Sequence, residues 1–488
     1  MATASPAVAG DRLLTGQISR TSDTTHNNIV HQRGLVPMTQ ARPVWNLPRP
    51  KAWSLPTTAI APNVDTVIHV LVLRFNFQYE TVDDSNTTGR GVMDLSTPLA
   101  DSADSARYYD SVGFIVDPPP HNAAYFNAQM KALNFYWNRV SEGHDSLAWD
   151  IYPRAGDSVY QLPHEMAYYG KCEVDSVVYG LERYFVDGIH AADADPSVDF
   201  SKYNAIIMFH AGADRQNDLG FPPTCSDLFT GFINFRDSVA VKGGKYIHEA
   251  VMMPEAISQD NRATALNAVM AHEFGHQLGL VDLYNTSNFM TELGDFSLMD
   301  DNGFGTGIDF GFKGGKVFGA VPVYPDAWSR AYLGYVPVGD FRKGTDLRIV
   351  AAEAISSGMK IARVPISENS FYLLENRNDR LTTGVLHMLV DFATGVFMGP
   401  ADANRNLTGE YDFLLPGSGM LIYLVDEYVA GLDYDGNGVD NFKDNQLQWD
   451  PRRRFLSLVE GSGIVYFGGD YHAGYGSADD MYRDDRNT

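Results

Sequence analysis

Residues 271–282 read Ala271-His272-Glu273-Phe274-Gly275-His276-Gln277-Leu278-Gly279-Leu280-Val281-Asp282, and the spacing HExxHxxGxxD inside them decides how the rest of the chain is read. On an α-helix, positions four apart share a face, so the imidazoles of His272 and His276 converge on one point. Glu273 is rotated by about 100° from His272, which sets its carboxylate beside that point as a general base for water held there. Gly279 suits the positive φ at which a helix stops and the chain doubles back. That reversal delivers Asp282. Two imidazoles and a carboxylate leave one tetrahedral position of a zinc ion open to water, whose pKa such an ion lowers to about 7. The competing reading is an ordinary helix with packed histidines and with Asp282 as a surface cap. Gly279 and Asp282 at their spacing weigh against it.

The context of the motif is helical. Ala263, Ala265, Leu266, Ala268, Val269, Met270 and Ala271 are mostly good helix formers, and Asp260 and Asn261 offer N-capping side chains before them. Downstream, Gly294-Asp295-Phe296-Ser297-Leu298-Met299-Asp300-Asp301-Asn302-Gly303 is an apolar patch running into turn residues. It resembles the Met-turn beneath the zinc site of the metzincin class, with Met299 as its methionine.

The stretches HEFGHQLGLVDLY (272–284), FSLMD (296–300), DAWSRAYLGY (326–335), YLLENR (372–377) and LPGSGMLIYLVDE (415–427) resemble, in order, blocks of the immune inhibitor A family of secreted metallopeptidases. IIMFHAGADRQND (206–218) and Met253-Pro254-Glu255 extend the resemblance to about residues 65–470. The resemblance implies a zinc-dependent endopeptidase with a metzincin-like catalytic domain, acting on protein or peptide substrates. Its ligands would be His272, His276 and Asp282, and its base Glu273. Leu424 stands where the family often has histidine, so no catalytic role follows for Tyr423–Glu427.

A chain of 488 residues, 44% hydrophobic, buries a sizeable core, and a formal charge of −24 argues against nucleic acid or an anionic membrane as partner. Cys172 and Cys225 are too few for a disulfide scaffold and read as one bridge or as two buried thiols; the resemblance to a secreted family implies the bridge. No stretch reaches transmembrane length, and residues 1–16 lack a signal-peptide core, so the expected secretion rests on the resemblance. A monomer is expected.

Residues 1–60, rich in Ser, Thr, Asn and Pro, read as an extended arm or pro-segment remnant. Residues 61–345 read as the α/β catalytic domain: Val67–Phe77 and Ala205–His210 as buried strands, Ala123–Val140 as a helix. Residues 346–488 read as β-rich, with strands at Leu347–Ala351, Phe371–Glu375, Gly419–Val425 and Phe455–Val459. Within them Asp433, Asp435, Asn437, Asn441 and Asp444 fall at positions 1, 3, 5, 9 and 12 of a calcium-type loop, with Gly438 at 6 and the Val439 carbonyl at 7. The expected ion there is structural calcium; the alternative is a plain Asp/Asn/Gly turn. His210, ending an apolar strand, reads as a core histidine. A zinc endopeptidase is therefore the expected function, and the alternative is a catalytically silent surface or adhesion protein on the same fold.

Overall fold

The computed structural model describes residues 66–96, 116–172, 177–218, 220–260, 262–300, 306–310, 316–341, 346–382, 384–465, 467–468 and 476–483, with the backbone of two short strands at 12–14 and 19–22. The rest of the arm expected over 1–60, and Asp301 to Gly303, lie outside these residues. The architecture is mixed α/β, with several sheets and few helices.

The principal sheet contains β1 (Thr66–Asn76), β2 (Asp145–Tyr152), β3 (Ala205–His210), β4 (Gly231–Val241) and β5 (Lys245–Pro254) in the order β2-β1-β3-β5-β4. All neighbours are parallel except β5 and β4, the antiparallel edge pair. Val70–Leu73 of β1 and Ala205–Phe209 of β3 are continuous apolar runs, buried as strands covered on both sheet faces are. Phe209 meets Phe126 of α1 (Ala123–Val140) at 4.5 Å between rings, whereas the next residue, His210, meets Tyr184 of α2 (Val177–Ala194) at 5.8 Å. Successive strand residues point to opposite faces, so the two helices sandwich the sheet. Asn122 caps α1, its side chain accepting the Ala124 and Tyr125 N–H groups.

The motif helix, α3, spans Asn267–Gln277 and every residue of it is buried. It begins later than the expected start. Ala263–Thr264 instead form a short strand parallel to Lys316–Phe318, and Asp260 has φ +53° in the preceding turn. Sheet pairing outcompetes the helical propensity of the alanines here. With no capping side chain at Leu266, the Asp117 carboxylate accepts its N–H at 3.0 Å.

After α4 (Ala327–Tyr332) the chain builds a second sheet of β6 (Val338–Asp340), β7 (Ile361–Pro365), β8 (Ser370–Arg377), β9 (Gly419–Asp426) and β10 (Leu456–Leu458), paired in chain order. Residues 347–350 are not a strand; only Ala351 pairs, with Asn376. On β8, Phe371, Leu373, Glu375 and Arg377 face inward. One hydrophobic core runs through both sheets and across residue 345, with Tyr136 against Tyr411 at 4.9 Å and Trp328 against Phe455 at 5.0 Å.

Candidate metal centre

Four residues of the 271–282 stretch meet at the end of α3. His272 Nε2 and His276 Nε2 lie 3.2 Å apart, and Asp282 Oδ1 lies 3.1 Å from the first and 3.3 Å from the second. The chain reverses as the glycine predicts: Gly279 has φ +102°, and the Leu280 N–H bonds back to the Gly275 carbonyl. All three side chains are buried.

The proton inventory of this triangle is restrictive. His272 Nδ1 is 2.8 Å from the Leu298 carbonyl and His276 Nδ1 is 3.0 Å from the Leu280 carbonyl. A carbonyl oxygen only accepts, so each Nδ1 carries the hydrogen, and in the neutral tautomer that this leaves, the form that binds a metal, Nε2 presents a lone pair. In that tautomer three acceptor atoms face one another, and Asp282 Oδ1 receives no hydrogen bond among the described residues. Buried acceptors packed this way repel unless a cation or a proton lies between them. The separations suit a cation: tetrahedral zinc with bonds of about 2.0–2.1 Å holds its ligands about 3.3 Å apart. The donor set therefore fits zinc. Burial pushes the Asp282 carboxyl up, but His276 and His272 outweigh it and hold the group well below the usual carboxylate range. Burial opposes charge on His276, while Asp282 and then Glu273 favour it, and its pKa is raised.

Glu273 joins the histidines in a cluster whose ligand-type atoms lie within 4.8 Å of one another. Its Oε2 accepts the Phe232 N–H of β4 at 2.7 Å, so the sheet edge orients the carboxylate.

Met299 is fully buried beneath α3: a Cβ placed on Gly275 would come within 2.9 Å of its Sδ. The 296–299 segment is tied down from several sides. Ser297 Oγ donates to Asp326 at 2.8 Å and accepts the Met299 N–H at 3.1 Å, while Arg377 Nη1 donates to the Phe296 carbonyl at 3.1 Å. Asp300 Oδ2 collects the N–H groups of Glu292, Leu293 and Gly294.

Elsewhere, Cys172 and Cys225 form a disulfide. His210 is buried, donating from Nδ1 to the Ala211 carbonyl at 2.9 Å. In the 433–444 loop, Asp433 accepts the N–H groups of Gly436, Asn437 and Gly438, and Asn437 Nδ2 bridges Asp435 and Asp444 at 3.0 and 2.6 Å. Asn441 turns inward instead, accepting from the Tyr434 N–H and donating to the Val429 carbonyl, both at 2.9 Å. Val439 N–H donates to Asn437. The structure thus gathers Asp433, Asp435, Asn437 and Asp444 in one turn and leaves Asn441 apart from them. Among the described residues, no helix is long and apolar enough to cross a membrane.

Two contributors escape the sequence reading. The Phe232 amide is main chain and carries no residue signature. Asn445, whose side chain holds Asp282, lies 163 positions away from it.

Comparison with models of known protein families gives no match, and none of the curated proteins matches the chain.

Proposed function

We propose that this chain is a zinc-dependent endopeptidase of the immune inhibitor A type, with a metzincin-like catalytic core in which Met299 is the Met-turn methionine. The observation that carries the reading is the buried acceptor triangle of His272, His276 and Asp282 with the carboxylate of Glu273 beside it. A purely structural zinc would take four protein ligands and need no adjacent base; three ligands and a base are the catalytic pattern. When bound, zinc supplies a Lewis acid and an acidified water.

The chain's own residues do the rest. His272 and His276, each fixed through Nδ1 to a main-chain carbonyl, present Nε2 in a set orientation, the usual outer-shell device for a ligating imidazole. Glu273, steered by the Phe232 amide, takes a proton from water and returns it to the departing amine. Protein or peptide substrates and a secreted location follow from the resemblance stated above.

The test is cleavage of casein and of quenched peptides by the purified chain, with and without a chelator, beside Glu273→Gln. The variant should bind zinc as the parent does and lose at least about a hundredfold in turnover, the usual scale of a general base. Undiminished cleavage by the variant would remove Glu273 from its role. Stoichiometric zinc without cleavage of any substrate would favour the silent binding protein.

A further inference from the structure

The third member of the triangle is held by a residue from the far end of the chain. Asn445 Nδ2 donates to Asp282 Oδ2 at 2.5 Å, and Asn445 Oδ1 accepts the Asp282 main-chain N–H at 2.9 Å. A carboxylate oxygen cannot donate and an N–H cannot accept, so only this orientation of the amide satisfies both bonds. Asn445 is 5% exposed. Its backbone has φ +56°, a conformation that asparagine tolerates better than most side-chain-bearing residues. The surrounding segment is laced to the same loop: Thr286 Oγ1 donates to the Asn445 carbonyl at 2.7 Å, Trp449 Nε1 donates to Thr286 Oγ1 at 2.7 Å, and Gln448 Nε2 donates to the Leu283 carbonyl at 3.2 Å.

We propose that Asn445 is a positioning residue for the metal centre, engaging Asp282 Oδ2 so that Oδ1 alone is presented to the ion. The inference rests on the reading of His272, His276 and Asp282 as zinc ligands. A carboxylate free to rotate can bind through both oxygens and fill the position that catalysis needs open; one whose second oxygen is occupied by an amide donor ligates through a single atom. Asn445 binds both ends of Asp282, its amide and its carboxylate, and so fixes the direction as well as the choice of oxygen. A segment between β9 and β10 of the second sheet thereby completes a site otherwise built from α3 and the turn beyond it.

The experiment uses the full chain loaded with cobalt(II), whose visible absorption reports coordination number, together with zinc affinity by chelator competition. Asn445→Asp keeps the size, the acceptor toward the Asp282 N–H and the tolerance of positive φ, but sets an oxygen against Asp282 Oδ2. Asn445→Ala removes both bonds. Thr286→Val removes neighbouring hydrogen bonds without touching Asp282. Both Asn445 variants should bind zinc about 10–100-fold more weakly, the usual cost of losing an outer-shell partner, and should show weaker cobalt bands as a fifth donor coordinates. Thr286→Val should keep the parent spectrum. Asn445 variants with parental affinity and spectrum would overturn the inference while leaving the zinc centre standing. A parent chain that takes up neither metal would overturn the zinc reading and the inference with it.

Discussion

Asp282 is where the argument for a metal narrows to one atom. Its Oδ1 is buried against two imidazole nitrogens and, with both rings in the neutral Nδ1–H form, receives no hydrogen bond among the described residues, a cost of about 1–3 kcal/mol for an unsatisfied buried acceptor. Asp282→Asn should therefore leave the metal-free protein at least as stable as the parent, yet weaken zinc binding by more than the roughly 10–100-fold typical of an outer-shell change. Thermal unfolding with and without zinc checks both halves; an undiminished zinc-induced rise in Tm in the variant would strike Asp282 from the ligands. His210 gives a separate prediction. Burial lowers its pKa to about 4, so between about pH 6.5 and 4 the unfolded chain takes up a proton that the folded one refuses, and stability falls as pH falls. The loss approaches about 3 kcal/mol at 1.36 kcal/mol per unit. His121 runs the other way: burial opposes its charge, but the hydrogen bond and charge of Glu255 outweigh it, so its contribution is full below about pH 6.5 and is lost as pH rises through the folded value. His210→Phe, which suits the ring contacts with Phe77 and Tyr184, should flatten the acid limb in urea midpoints measured at pH 7 and 4.5. Equal acid slopes in parent and variant would refute the assignment. At this scale the sequence displays side chains whose spacing is local. His272, Glu273, His276 and Asp282 are legible for that reason; Asn445 and the Phe232 amide are not, because their partners come from distant chain.

The elements show the same division between local and distant information. The helix 123–140 and the strand 205–210 match the expected ranges because apolar periodicity and the Asn122 cap act within a few residues. The start of α3 does not, since the pairing of 263–264 with 316–318 is invisible locally. Leu347–Ala351 has a strand's composition, but only Ala351 pairs, so composition alone does not secure a ladder. Within α3, Gly275 is an element-scale constraint rather than a flexible joint. A methyl there would meet Met299 Sδ at 2.9 Å and lie 3.5 Å from both Leu280 and Trp137. Gly275→Ala gains helix propensity but overpacks the contact with the 296–299 turn, at a cost of about 1–3 kcal/mol. Because the Leu298 carbonyl holds His272, displacing Met299 should also lower zinc affinity. Calorimetry and chelator competition on this variant test the coupling; a stabilised protein with unchanged affinity would show that the turn yields freely.

At the scale of the molecule, the second sheet supports the site through a buried ionic network. Arg377 pairs bidentately with Asp412, Nε and Nη2 each 2.5 Å from a carboxylate oxygen, while Glu375 lies between Arg377 and Arg330. All four side chains are fully buried. Such a network is weak evidence for stability when complete, since desolvation offsets its attraction, but removing one partner leaves charges unmatched at about 3–5 kcal/mol. Arg377 also donates to the Phe296 and Tyr324 carbonyls, so its loss loosens the turn under α3 as well as the sheet that carries it. Arg377→Met should therefore destabilise the protein by about that amount and weaken zinc binding together. The same connectivity decides whether the two regions read from composition, 61–345 and 346–488, are separable. Asn445 on Asp282, Arg377 on Phe296, Asn267 on the Phe397 carbonyl and the shared aromatic core all cross the boundary. Composition marks where strands become frequent, not where a core ends. A chain truncated after residue 345 should expose the inner faces of Tyr136, Trp328 and α3, fail to unfold cooperatively and bind no zinc, whereas the full chain should unfold in one transition seen alike by tryptophan fluorescence and far-UV circular dichroism. A truncated chain that melts cooperatively with zinc bound would show instead that the second sheet is an appendage, and that Asp282 keeps its direction without Asn445.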